Sequence, residues 1–219
     1  MPTTKKVDVN DALSLRDHLE TIKGVLDAGG VIAFPTDTFY GLGANPFNEK
    51  AIDKIFRIKE RHDDKPLLVL VASLSQAASL CARISPEAKF LIDHFWPGPL
   101  TLLFDASPEV PERLTAGTGK VGVRLPGNEL ARKLIEEIGI PLTAPSANIS
   151  GGDSPRSAAE VETSLGGGVD LILDGGPAPG GLASTLLDTT VSPPKIIREG
   201  PVTVSQIEAV LKTHRLPAL

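Results

Sequence analysis

The chain has 219 residues, 41% of them hydrophobic and 22% charged, with a formal net charge of −5. That length suffices for a substantial core in one large domain or two small ones. The acidic balance argues against a protein whose main task is gripping a phosphate backbone, but not against nucleotide binding in a local basic pocket.

Leu15, Leu19, Ile22 and Leu26 recur at helical spacing until Gly29-Gly30 breaks the pattern. Residues 31–34 form a short apolar run stopped by Pro35, which predicts a buried strand. Asn48 can cap a helix whose apolar positions are Ala51, Ile52, Ile55 and Phe56, running out near Lys59. Residues 67–71 are a continuous aliphatic strand suited to a sheet covered on both faces. Helices follow over 76–82 and 87–94, then the turn Trp96-Pro97-Gly98-Pro99. Strands are expected at 100–104, 121–125 and 142–144. Asn128 caps a helix over 129–138, and 158–165 reads as another, broken by Gly166-Gly167-Gly168. Three late strands, 171–173, 184–187 and 196–198, precede an amphipathic helix over 204–214. Interleaved strands and helices argue for α/β architecture. With no repeat and no linker, one domain over 1–219 is expected, its core spanning about 12–210 with frayed termini.

One cysteine, Cys81, excludes an intramolecular disulfide, fits a reducing compartment, and in an apolar helical stretch reads as a buried hydrophobe. With only four scattered histidines a zinc site is not expected. Neither a signal-peptide run nor a membrane-span length is found, so a cytoplasmic protein without membrane contact is expected.

Five segments carry chemistry. Residues 34–43 run from a strand into hydroxyls, amides, Gly41 and Gly43, where an α/β sheet opens its ligand crevice; a structural turn is an equal reading. Lys59, Arg61 and Lys65 cluster before a strand. A helix dipole accounts for Lys59, but an Arg fork with a Lys point charge suits a phosphate or carboxylate. His62, Asp63 and Asp64 read as a solvated loop. In residues 143–152, Ser146 and Asn148 stand two apart and face one side of an extended segment, or else form an Asx or Ser turn. Ser154-Pro155-Arg156 then prepares a helix N-terminus, a natural anion site. The Gly-rich run from Asp174 to Thr185 matches neither phosphate-loop nor dinucleotide patterns, and Arg198 ends the last strand, a place usual for surface charge.

Pro35-Thr36-Asp37-Thr38 with Tyr40-Gly41-Leu42-Gly43, Lys59-x-Arg61 before Lys65-Pro66-Leu67, Trp96-Pro97-Gly98-Pro99-Leu100-Thr101, Val123-Arg124-Leu125-Pro126, Pro145-Ser146-Ala147-Asn148-x-Ser150-Gly151, and Ser184-Thr185 before Ile197-Arg198 occur in that order. The set resembles the threonylcarbamoyl-AMP synthase, or YrdC-like, family over nearly the whole chain. The resemblance implies a single α/β domain, a twisted mixed β-sheet with flanking helices around a large concave basic cavity. It implies ATP, L-threonine and bicarbonate as substrates with Mg2+, and a product that serves threonylcarbamoyladenosine formation in tRNA through downstream transfer proteins. The family's catalytic tetrad falls on Lys59, Arg61, Ser146 and Asn148. Its threonine pocket falls on Thr36, Arg124 and Ser184. Its ATP contacts fall on the tetrad, Ser154, Arg156 and Arg198, with Lys120 adding a charge near the nucleotide where a Thr is frequent. His62 replaces a common Pro and Asp37 a common Glu, and the extra C-terminal domain of longer relatives is not expected.

The implied chemistry needs no protein nucleophile, in keeping with a sequence lacking Ser-His-Asp or Cys-His arrangements. On this reading Lys59 and Arg61 neutralise phosphates and carbamate, and Ser146 and Asn148 fix the nucleotide and carbamoyl group. Arg124 holds the threonine carboxylate, while Thr36 and Ser184 orient polar groups. Alternatives are a module with the same fold binding RNA weakly through the cavity, a carbamoyl-adenylating paralogue, and an inactive paralogue.

Overall fold

The computed structural model describes residues 4–60 and 65–213. The first strand, β1 (Lys5–Asp8), leads into α1 (Ala12–Asp27), which Asp11 caps by accepting from the amides of Leu13 and Ser14. Strands β2 (Ile32–Pro35) and β3 (Tyr40–Gly43) form a hairpin, and α2 (Glu49–Lys59) starts at the Asn48 cap. It ends at Glu60 in the left-handed conformation, φ 47°. Next come β4 (Leu68–Leu70), α3 (Leu74–Leu80), α4 (Pro86–Phe95), β5 (Leu100–Asp105), the short α5 (Glu112–Thr115) and β6 (Lys120–Arg124). The chain continues through α6 (Glu129–Ile138), β7 (Leu142–Thr143), α7 (Ala158–Leu165), β8 (Leu171–Asp174), β9 (Thr185–Asp188), β10 (Lys195–Arg198) and α8 (Val204–Thr213).

The mixed α/β architecture is the one expected, and its strands divide between two mixed sheets. One has four strands in the order β1-β8-β2-β3, the other six in the order β10-β9-β5-β6-β4-β7. The outer edge of β3 joins them. Leu42 N–H donates to the Pro145 carbonyl at 2.8 Å, Ala147 N–H to the Tyr40 carbonyl at 2.8 Å, and Thr143 N–H to the Ala44 carbonyl at 3.0 Å. Thr143 Oγ1 adds a bond to the Leu42 carbonyl and accepts from Ala44 N–H. The edge of one sheet therefore has its donors and acceptors met by the strand leaving the other. Gly41 makes the approach possible: a Cβ there would stand 3.3 Å from that of Ala144.

The apolar faces fill two clusters. One packs α1 and α6 on the first sheet through Leu15, Ile22, Phe34, Leu134 and Leu171; the other packs α2, α4, α7 and α8 around β3, β5 and β6. Several elements differ from the sequence reading. Strand β1 was not expected because only Val7 of its four residues is buried; its parallel pairing with β8, Val7 beside Leu173, makes it a strand. Strand β3 lies inside the segment read as a ligand loop, and α5 was not foreseen. Helix α3 ends at Leu80, so Cys81 is extended and bridges Ala106. His214 of the expected last helix lies outside the described residues.

Candidate active site

A cavity of about 560 Å³ opens between the two sheets. The turn between β2 and β3 forms one wall, and β4, β5, β6, β9 and β10 form the opposite one. Among the described residues lining it, Lys65, Arg124 and Arg198 are cationic and none is acidic.

Arg124 is the last residue of β6 and is only 2% exposed. Its Nη2 donates to Asp37 Oδ1 at 2.6 Å, while its Nε is buried without a partner. Burial pushes this guanidinium below its ordinary pKa; Asp37 opposes that shift and the nearby Arg198 adds to it. Burial lowers Arg198 as well. The Arg124 charge is held away from water with one carboxylate to offset it, and the more exposed Arg198 adds a second positive charge, so an anion that enters is stabilised.

Hydroxyls ring this end of the cavity. Thr36 Oγ1 donates to the Phe39 carbonyl at 2.7 Å and accepts from Thr38 N–H at 3.1 Å, which locks the turn. Ser184 Oγ and Thr101 Oγ1 stand 2.8 Å apart, both buried. Arg198 donates through Nη2 to the Ser184 carbonyl at 2.9 Å, so β10 is drawn against the start of β9. Gly200 permits that crossing, since a Cβ there would collide with the Ala183 carbonyl and the Thr185 amide.

The structure thus brings Thr36, Arg124, Ser146, Ser154, Ser184 and Arg198 to one cavity. Other residues of the expected site are not among the described residues that line the cavity. Lys59 is 2% exposed and does not line the cavity; its Nζ donates to the carbonyls of Ser146 at 2.5 Å and Asn148 at 2.7 Å. It fixes the loop that presents Ser146. Asn148, also outside the lining, donates through Nδ2 to the carbonyls of Ile149 and Gly152, and its buried Oδ1 lacks a partner. Lys120 pairs with Asp188 at 2.8 Å. Arg156 packs its side chain over Gly180 and its N–H bonds Glu160; the cap of α7 is Ser157. Arg61 lies outside the described residues, as do His62, Asp63 and Asp64.

Sequence reasoning did not single out Thr38, Tyr40 or Thr101 individually, although all three line the cavity. Tyr40 donates its hydroxyl to the Gly176 carbonyl at 2.6 Å, and burial first, then the Asp174 charge, raises its pKa. Gly180 N–H bonds the Thr38 carbonyl at 2.7 Å. The Gly-rich run therefore clasps the β2–β3 turn. A hydroxyl at the edge of a motif carries no sequence signal by itself, and only the pairing of β5 with β9 sets Thr101 beside Ser184.

The Sua5/YciO/YrdC family model, described as "Telomere recombination", matches residues 24–200. Threonylcarbamoyl-AMP synthase of Pyrococcus abyssi is 42% identical over 209 residues, covering 93% of this chain and 62% of the relative. That of Bacillus subtilis is 44% identical over 207 residues, covering 94% of this chain and 60% of the relative. The chain thus spans about three fifths of the length of these relatives. The crystal structure of Pyrococcus abyssi Sua5 complexed with L-threonine superposes with a TM-score of 0.88 at 40% identity, over 96% of this chain and 61% of that one. With the family model matched over most of the chain and the fold shared, this chain belongs to the Sua5/YciO/YrdC family.

Proposed function

We propose that this chain makes threonylcarbamoyl-AMP from L-threonine, bicarbonate and ATP. The observation that carries the reading is the buried Arg124 guanidinium, in a cavity also lined by Thr36 and Ser184 and, among the described residues, by no acidic side chain. A guanidinium fork flanked by hydroxyls suits an amino acid with its own hydroxyl: the fork takes the carboxylate and the hydroxyls take polar groups. The names of the relatives, and a solved neighbour complexed with L-threonine, point the same way.

The amine of L-threonine combines with bicarbonate to give a carbamate, with loss of water. A carbamate oxygen then attacks the α-phosphorus of ATP, forming the P–O bond as pyrophosphate leaves with the electron pair of the broken one. Catalysis of such a step rests on positioning and charge stabilisation. Arg198 and Lys65 supply positive charge to the phosphates, Ser146 and Ser154 contact the nucleotide, and Lys59 and Asn148 hold the loop that presents Ser146. Magnesium, bound with the triphosphate, would offset its negative charge. Among the described residues no cluster of three or more His, Cys, Asp or Glu side chains stands ready to hold a metal. No helix of the described residues is long and apolar enough to cross a membrane.

Pyrophosphate release from ATP, measured with and without L-threonine and bicarbonate, tests this. Release that requires both substrates is expected. Release independent of threonine, or none from protein that binds ATP, overturns it.

A further inference from the structure

Arg124 Nε and Asp37 Oδ2 are both buried without hydrogen-bond partners, and they belong to one ion pair. Unsatisfied buried polar atoms are uncommon, and each calls for a reason. Arg124 lines the cavity; Asp37 does not. Asp37 sits in the turn locked by Thr36 Oγ1 at one side and by the Gly180 amide on Thr38 at the other, so its backbone is fixed. Gly127 closes in behind its carboxylate: a Cβ there would stand 3.1 Å from Asp37 Oδ2. The carboxylate is thus wedged between Gly127 and Arg124, joined to the guanidinium by a single bond of 2.6 Å. Arg–carboxylate pairs are frequently bidentate, with both oxygens met. This one leaves part of the Arg fork for something else.

We propose that Asp37 is the positioning residue of the amino-acid subsite: from behind the cavity wall it fixes the plane of the Arg124 guanidinium, so that the remaining donors meet a substrate carboxylate in one orientation. This rests on the reading of the site given above.

The test compares wild type with Asp37→Asn, Asp37→Glu, Arg124→Gln and the Asp37→Asn/Arg124→Gln double variant. The assay is pyrophosphate release, run at a temperature where circular dichroism finds every variant folded. Asp37→Asn is expected to raise the KM for L-threonine roughly tenfold or more, the worth of one charge-assisted hydrogen bond. The KM for ATP stays within about twofold, and Asp37→Glu recovers most of the loss. Acting through Arg124, the Asn substitution adds nothing to the double variant beyond Arg124→Gln alone. An unchanged threonine KM, equal shifts in both KM values, no recovery by Glu, or additive losses each overturn the proposal. Wild type without threonine-dependent release overturns the functional reading and this one with it; an active wild type with an unaffected Asp37→Asn overturns this one alone.

Discussion

Lys59→Met tests whether the loop carrying Ser146 is held from beneath. Methionine keeps the length of the side chain and removes the ammonium. The Ser146 carbonyl retains the amide of Asn148 at 3.0 Å, but it loses the 2.5 Å bond from Lys59 Nζ. The Asn148 carbonyl loses its 2.7 Å bond in a buried position. One buried acceptor deprived of its donor costs about 1–3 kcal/mol, and a lost charge-assisted bond about 1.5–3 kcal/mol. Relief of the desolvated ammonium offsets part of this. A net loss of about 2–5 kcal/mol follows, which in a chain of this size lowers the melting temperature by roughly 5–15 °C. Differential scanning calorimetry reads the shift. Pyrophosphate release should fall on the order of a hundredfold, because the Ser146 loop loses its register. A variant that melts within about 2 °C of wild type would refute the idea that Lys59 anchors this loop. Normal turnover in such a variant would also remove Lys59 from the site.

Gly200→Ala should cost about 2–4 kcal/mol by chemical denaturation and weaken nucleotide binding, since the added Cβ collides with backbone at Ala183 and Thr185 and must push Arg198 away from Ser184. Cys81, buried and with its thiol pushed up to about 12 by that burial, should resist alkylation at pH 8 until the protein unfolds; rapid labelling of native protein would contradict its placement. For Asp188, burial works to raise the pKa, but bonds from Lys120 and Thr190 together hold it below the ordinary 3.8. A depressed folded-state value adds stability above that pH and loses it as pH falls through the folded value. Lys120→Met should therefore be less stable than wild type near neutral pH, with the gap closing as the pH is taken below 3.8. A gap that persists in acid would mean that Lys120 contributes packing and not charge.

What the sequence determined by itself was local. Asn48 and Asn128 cap helices where their spacing placed them, because a cap needs only its own side chain and the amide three residues on. The helix over Glu129–Ile138 followed from its Asn128 cap, and that over Ala158–Leu165 ends where Gly166 breaks it. The buried aliphatic strands β4 and β5 were legible as short apolar runs. The gathering of Thr36, Arg124, Ser146, Ser184 and Arg198 was implied by the family resemblance that the ordered motifs carry.

Tertiary structure decided the rest. Strand β1 exists because of its partner: β8 lies more than 160 residues away, so no local pattern announces it, and the second edge of β3, a hairpin strand with β2, is met only by the segment that leaves β7. The direction of Lys59 was likewise undetermined. A lysine at a helix end can face a ligand or a carbonyl, and the backbone of Ser146 and Asn148, arriving 87 and 89 residues later, settles the choice. The Asp37–Arg124 pair spans another 87 residues. Sequence spacing specifies which groups a strand end offers. The distance between those groups, and therefore the electrostatics of the site, is set only when the two sheets close around the cavity.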